Sequence, residues 1–185
     1  MKKLLFIILV LLFVASFAVV GCKKEEPAPA VEAPANTPAQ DAATAEKPAK
    51  EIAKDGSFIA YDNETVLDTK TKLMWAAKDN ERNVNWANAK KYCEDYRGGG
   101  YTDWRMPTQQ ELVGLYDGAK PNKADCGFDV HLTKLIRLTC IFVWTSETLG
   151  SDAASFYFGT GGGQQYMVKK SIVDNYRVLP VRSGK

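Results

Sequence analysis

Residues 98–112 read GGGYTDWRMPTQQEL. Three glycines lead into a Tyr, a Trp and an Arg set close together, and a proline and a threonine follow. Each residue type has a structural use here. Gly98, Gly99 and Gly100 suit the end of a helix, where positive φ is wanted. Trp104 is a large core candidate. Arg105 is expected to lock its loop by bonding Asp103 or backbone carbonyls through its planar fork. Pro107 fixes the chain direction, and Thr108 with Glu111 matches a capping box at the start of a helix. The stretch therefore reads as scaffold, with Asp103, Trp104, Arg105 and Pro107 as a structural motif; the alternative is a direct ligand contact by Trp104 or Arg105.

Working outward, the stretch NWANAKKYCEDY (85–96) predicts a helix. Asn85 is a good N-cap, and Trp86, Ala89, Cys93 and Tyr96 recur at spacings of three and four, which gives one apolar face. The helix opened by Thr108 turns Leu112, Leu115 and Tyr116 inward. HLTKLIRL (131–138) is expected to form a third, shorter helix. Upstream, SFIAYDNETVLDTKTKLMWAA (57–77) reads as two or three short strands with DTKTK as a hairpin turn. Downstream, IFVWTSE, ASFYFGT, QQYMVKK and YRVLPVRS are strand-like runs separated by glycine-rich or polar breaks. Early strands, then helices, then a late antiparallel sheet make an α+β fold.

The other end of the chain carries a different signal. Residues 1–21 have a basic start at Lys2 and Lys3, then an apolar run over 4–20, then Gly21 before Cys22. This reads as a secretory signal, and VVGC looks like a bacterial lipobox, which implies cleavage before Cys22 and acylation there. Several acyl chains together hold a bilayer firmly, where one does so only marginally. Removing Lys2 and Lys3 from the 24 basic residues leaves 22, equal to the 22 acidic ones, so the mature chain is formally neutral. Nucleic acid, which wants a basic surface, is not an expected partner. Lys23, where enterobacterial sorting rules would read Asp as retention, points to the outer membrane. Residues 22–55 hold five of the eight prolines, ten alanines and no aromatic. Such a segment cannot bury enough apolar surface to offset its ordering entropy. It is expected to be a disordered tether reaching up to ~100 Å when stretched at roughly 3.1 Å per residue. Residues 56–185 then form a domain large enough for its own core.

The motifs TKLMW, NWANAKKYC, GGYTDWRMPTQQEL, VWTSE and RVLPVR occur in that order across 71–182. Together they resemble the family of the C-terminal domain of the Legionella collagen-like adhesin, found in bacterial secreted proteins and lipoproteins. The resemblance implies a C-type-lectin-like fold related to the sulfatase-modifying factors: a twisted antiparallel sheet, two main helices and long loops on one side. It also implies binding of sulfated glycans by the characterised relative. The sequence departs from the family pattern by an insertion over 117–140, and by Leu179-Pro180 where the family often has Cys.

Cys126 and Cys140 bracket that insertion with 13 residues between them. An oxidising envelope permits a bridge between them, while Cys93, on an inward helix face, reads as a buried thiol. His131 is the only histidine and has no Cys/His cluster in sequence, so no metal or other cofactor is expected. FGTGGGQQ lacks the Gly-Lys-Ser/Thr of a phosphate loop and reads as a glycine turn. No catalytic set stands out. Recognition is the remaining class, with Trp144, Tyr157, Gln164, Gln165 and Tyr166 as candidate ligand contacts near loops of the late sheet. The expected function is a lipid-anchored, non-catalytic binding module of the cell envelope. Its partners are the membrane through the lipid, and a glycan or an envelope protein. The alternatives are a structural subunit of an envelope complex and a divergent enzyme.

Overall fold

The computed structural model describes residues 49–184. Cys22, the signal segment and most of the expected tether lie outside them. The described chain is α+β: two helices and several largely antiparallel sheets, with a curled sheet. Four short antiparallel strands come first: β1 (Glu51–Asp55), β2 (Phe58–Tyr61), β3 (Thr65–Asp68) and β4 (Leu73–Ala76). Helices α1 (Trp86–Asp95) and α2 (Gln109–Leu115) follow. A small hairpin pairs β5 (Pro121–Lys123) with β6 (Asp129–His131). The late strands are β7 (Phe142–Leu149), β8 (Asp152–Tyr157), β9 (Gln164–Lys169), β10 (Tyr176–Arg177) and β11 (Val181–Ser183).

One sheet has the order β1-β2-β3-β4-β11, and the other β10-β7-β8-β9. All pairs are antiparallel except β10 with β7. The sheet begins at Glu51, inside the stretch read as tether, because Gly56 at φ 61° closes a tight turn that lays β1 against β2. The four strand-like runs at the end become five strands, since Pro180 cannot donate to a ladder and separates β10 from β11.

The middle of the second sheet, in the first half of β7 and in β8, is buried on both faces. On one side α1 delivers Ala89 and Cys93 against Trp144, Ala153, Tyr176 and Val178. On the other, Leu112 and Leu115 of α2 meet Val143, Phe156 and Phe158. Ala153 and Ala154, adjacent in β8 and both fully buried, let the two layers approach from opposite sides. Both helix starts form as local chemistry dictates: Asn85 accepts from the Asn88 amide (2.9 Å), and Thr108 and Glu111 complete a reciprocal capping box.

The segment HLTKLIRL is not a helix. His131 ends β6, and Thr133 donates to Asp55 Oδ2 (2.7 Å). The Arg137 amide donates to Ala77 O (2.8 Å), and its carbonyl accepts from the Asp79 amide (3.1 Å). Eight residues are too few for an isolated helix to hold against such partners. Leu132, Ile136 and Leu138 enter the main core instead, so the insertion is part of the core rather than a surface loop. It is closed by a disulfide between Cys126 and Cys140, with Cα atoms 5.3 Å apart. Cys93 is free and buried, and burial pushes its thiol well above the ordinary range.

The opening motif works as a clasp. Trp104, 4% exposed, donates its Nε1–H to Gly98 O (3.0 Å) and meets Tyr96 edge-on at 5.1 Å. Helix α1 ends at Asp95, ahead of the glycines, which form a 3₁₀ turn. Gly99 sits there at φ 66°, with Thr65 Cγ2 only 2.7 Å from where a Cβ would stand. Arg105 bonds a backbone carbonyl, Met106 O (3.3 Å), as its sequence context suggests. It also forks onto Glu111 (2.8 and 2.5 Å), and its backbone bridges Val181 of β11. Asp103 takes Arg182 in two bonds (2.6 and 3.1 Å), and that guanidinium lies 3.8 Å from the Tyr101 ring centre. Pro107 O accepts from the Ser146 amide (2.8 Å), where β7 is bulged between Trp144 and Thr148. Burial raises the Glu111 carboxyl, but the Arg105 fork and the Thr108 bonds outweigh it and hold the carboxyl below its usual value.

Two stability outcomes are expected. Asp103→Ala leaves the buried Arg182 without its carboxylate and costs about 2 kcal/mol, less than a fully buried pair because Asp103 is half exposed. Reducing the 126–140 bridge costs about 3 kcal/mol on the loop-entropy account. Urea midpoints compared at fixed slope read both.

Candidate functional site

The five residues singled out for ligand contact separate in the fold. Trp144 has no exposed surface, and its Nε1–H is spent on Val84 O (2.8 Å), so it is core. Tyr157, Gln164 and Tyr166 share one face of the second sheet, because Tyr157 pairs with Gln164 and Ser155 with Tyr166. Tyr166 donates to Gln164 Oε1 (2.7 Å). Gln165 pairs with Phe156 and faces the opposite side. On the shared face, Tyr176, Phe142, Tyr157 and Tyr166 make a continuous aromatic row with neighbouring ring centres 4.9, 5.1 and 6.3 Å apart. His131 is buried, with Nδ1 at 3.1 Å from Gly118 O and Nε2 at 3.3 Å from Thr160 Oγ1. Among the described residues no group of three or more His, Cys, Asp or Glu is arranged to hold a metal ion.

A polar concavity lies elsewhere, at the segment that enters α1. A groove of about 390 Å³ is lined by Asn80, Asn83, Asn85 and Asn88, with Arg82, Lys91, Tyr92 and Val173 among its other walls. The orientation of these amides follows from bonds behind them. Asn83 Oδ1 accepts from Arg177 Nη1 (2.5 Å) and from the Asn175 amide (3.1 Å). Arg177, itself buried, is held by Thr139 Oγ1 (2.7 Å), which in turn donates to the buried Asp79. Asn85 Oδ1 is occupied by the N-cap bond. The oxygen ends of both side chains are thus committed inward, which leaves their NH₂ ends for the groove. Asn80 has both ends used, on Arg82 O (2.7 Å) and on the Val178 amide (2.9 Å), and serves as wall.

Among the described residues the side chains of Arg82 and Asn88 have no partner, while Lys91 is paired with Asp95 (2.7 Å). Burial pushes the Tyr92 phenol up to about 12, so it stays a neutral hydroxyl. Apart from the Lys91–Asp95 pair, the groove therefore presents mainly donors: two amide NH₂ groups held from behind, the Arg82 guanidinium and a phenol. It suits a ligand rich in acceptors. The run of asparagines over 80–88 is the signal in the sequence that could have found it.

A second concavity, about 360 Å³, lies between α1 and the clasp. Trp86, Met106, Thr108 and Ser146 line it with the stems of Lys90, Glu94 and Arg105. Its charges are neutralised in pairs, Lys90 with Glu94 and Arg105 with Glu111. The Trp86 indole is pinned by its bond to Thr145 O (2.8 Å) and by Lys170, whose ammonium is 5.1 Å from the ring centre.

A family model for the Lcl C-terminal domain matches residues 64–182, and the chain belongs to that family. No curated protein matches the chain.

The two kinds of asparagine are separable by stability. Asn83→Ala strips the buried Arg177 of an acceptor and is expected to cost about 2 kcal/mol. Asn88→Ala removes only a groove-facing amide and is expected to stay within about 0.5 kcal/mol of the parent. Equal losses in thermal or urea unfolding would show that Asn88 is structural.

Proposed function

We propose that this member of the Lcl C-terminal domain family is a non-catalytic binding module with a C-type-lectin-like fold, held on the bacterial envelope by lipid at Cys22. The observation that carries the reading is the donor-lined groove at the entrance to α1, whose amides are set by Arg177 and by the helix cap. Such a groove recognises hydroxyl, carbonyl and carboxylate oxygens, so the ligand is a glycan or an acceptor-rich protein surface of the envelope. Tyr92 adds a ring against which a sugar face can lie. Tyr157, Gln164 and Tyr166 offer a second, aromatic surface on the late sheet. The groove carries one unpaired cation, Arg82, which suits single carboxylates better than densely sulfated chains. Family membership supports an adhesin-like module. The apolar run followed by Gly21-Cys22 and a proline-rich stretch supports anchoring, and Lys23 supports the outer membrane.

A glycan array probed with the chain tests recognition. The expected result is binding to oligosaccharides that lose at least tenfold in affinity with Asn88→Ala combined with Arg82→Ala. No binding to any glycan, together with co-purification of a fixed protein partner, would reverse the reading in favour of a structural subunit. Anchoring is read separately: labelled palmitate enters the parent chain and not Cys22→Ser.

A further inference from the structure

The sheets end in edges of unequal character. At β1, Glu51, Lys54 and Asp55 put charge on the edge, and a bulge falls between Glu51 and Ala53. The outer side of β11 is bridged by Arg105, and β10 is two buried residues long. These are the devices by which sheets avoid joining edge to edge. Strand β9 has none of them before its last residue. QQYMV is uncharged, contains no proline, pairs with β8 in unbroken register, and is bonded by no other strand among the described residues. Tyr166 and Met167 are 39% and 48% exposed on its two faces.

We propose that β9 pairs antiparallel with β9 of a second copy of this chain across a two-fold axis at Tyr166. A two-fold axis normal to a sheet keeps each side chain on its own face, and opposed residues share a face, so the axis must pass at a residue rather than between two. Centring on Tyr166 sets Tyr166 against Tyr166, Gln165 against Met167 and Gln164 against Val168. Lys169 falls opposite Gly163, so like charges do not meet. The aromatic row Tyr176–Phe142–Tyr157–Tyr166 stops at this edge, and Tyr166 of the copy continues it as a cross-strand aromatic pair. The chain's own proline-rich residues 23–48 are a poor strand partner, since proline donates no backbone hydrogen bond.

Cysteine pairing in the full-length chain, with Cys22→Ser so that no unacylated Cys22 competes, tests both the surface and the register. Opposed Cα atoms in an antiparallel pair lie about 4.5–5.5 Å apart, within disulfide range. A Gln165→Cys chain mixed with a Met167→Cys chain is expected to cross-link under mild oxidation at least tenfold more than either alone. Tyr166→Cys is expected to cross-link with itself, and Ile52→Cys, exposed on the β1 edge, is not. Light scattering is expected to give a dimer for the parent and a monomer for Gln165→Pro. A mixture that links no better than its components, or Ile52→Cys linking as readily, overturns the proposal. So does a monomeric parent whose β9 amides gain exchange protection only when a different envelope protein is added, which would assign the edge to a foreign strand.

Discussion

The pair between Asp103 and Arg182 joins the middle of the described chain to its end. Arg182 is almost wholly buried and would be costly there alone. Its two bonds to Asp103 and its stacking on Tyr101 make β11 a stable last strand beside β4. The same short segment sends Trp104 back to the glycine turn and Arg105 forward to the cap of α2, and Pro107 takes the bulge in β7. Four elements, two flanking the loop and two distant in sequence, are positioned by side chains and carbonyls of one loop. This accounts for the density of special residues there without any ligand.

The clasp also decides where recognition can occur. With α1 fixed at its C-terminal end by Tyr96 and Trp104, and lying on the second sheet through Ala89 and Cys93, its N-terminal turn stands at the border of that sheet. There the connection from β4 to α1 meets the segment from β9 to β10. The Asp79–Thr139–Arg177–Asn83 chain of hydrogen bonds crosses this border and sets the amides of the groove. Burial raises the Asp79 carboxyl, although bonds from the Thr139 and Glu81 amides pull the other way. The groove is a surface feature with a buried polar support, and such support gives an amide a defined direction.

Much of the fold was legible because its determinants are local. The Asn85 cap and the Thr108–Glu111 box each act within three residues, and the hairpin over 57–77 follows from turn chemistry. What escaped the sequence was set at long range. Asp103 and Arg105 stand two residues apart and were natural partners on paper, yet each has a better-placed one, and Arg182 is 79 residues from Asp103. HLTKLIRL has apolar spacing compatible with a helix, and backbone partners at Ala77 and Asp79 override it. Trp144 looked available because alternation in a strand does not reveal that both faces of its sheet are covered at that point. The asparagines of the groove were visible as composition, but their direction depends on Arg177, which is 94 residues from Asn83.

The central claim is that the DWR motif is scaffold and that binding belongs to the donor groove. Side-chain amide NMR during titration with a bound oligosaccharide tests it most directly. The account predicts shifts in the NH₂ signals of Asn83, Asn85 and Asn88 and in the Arg82 guanidinium, with the Trp104 indole signal unmoved. Saturable shifts at Trp104 and Arg105, with the asparagine signals unchanged, would contradict it.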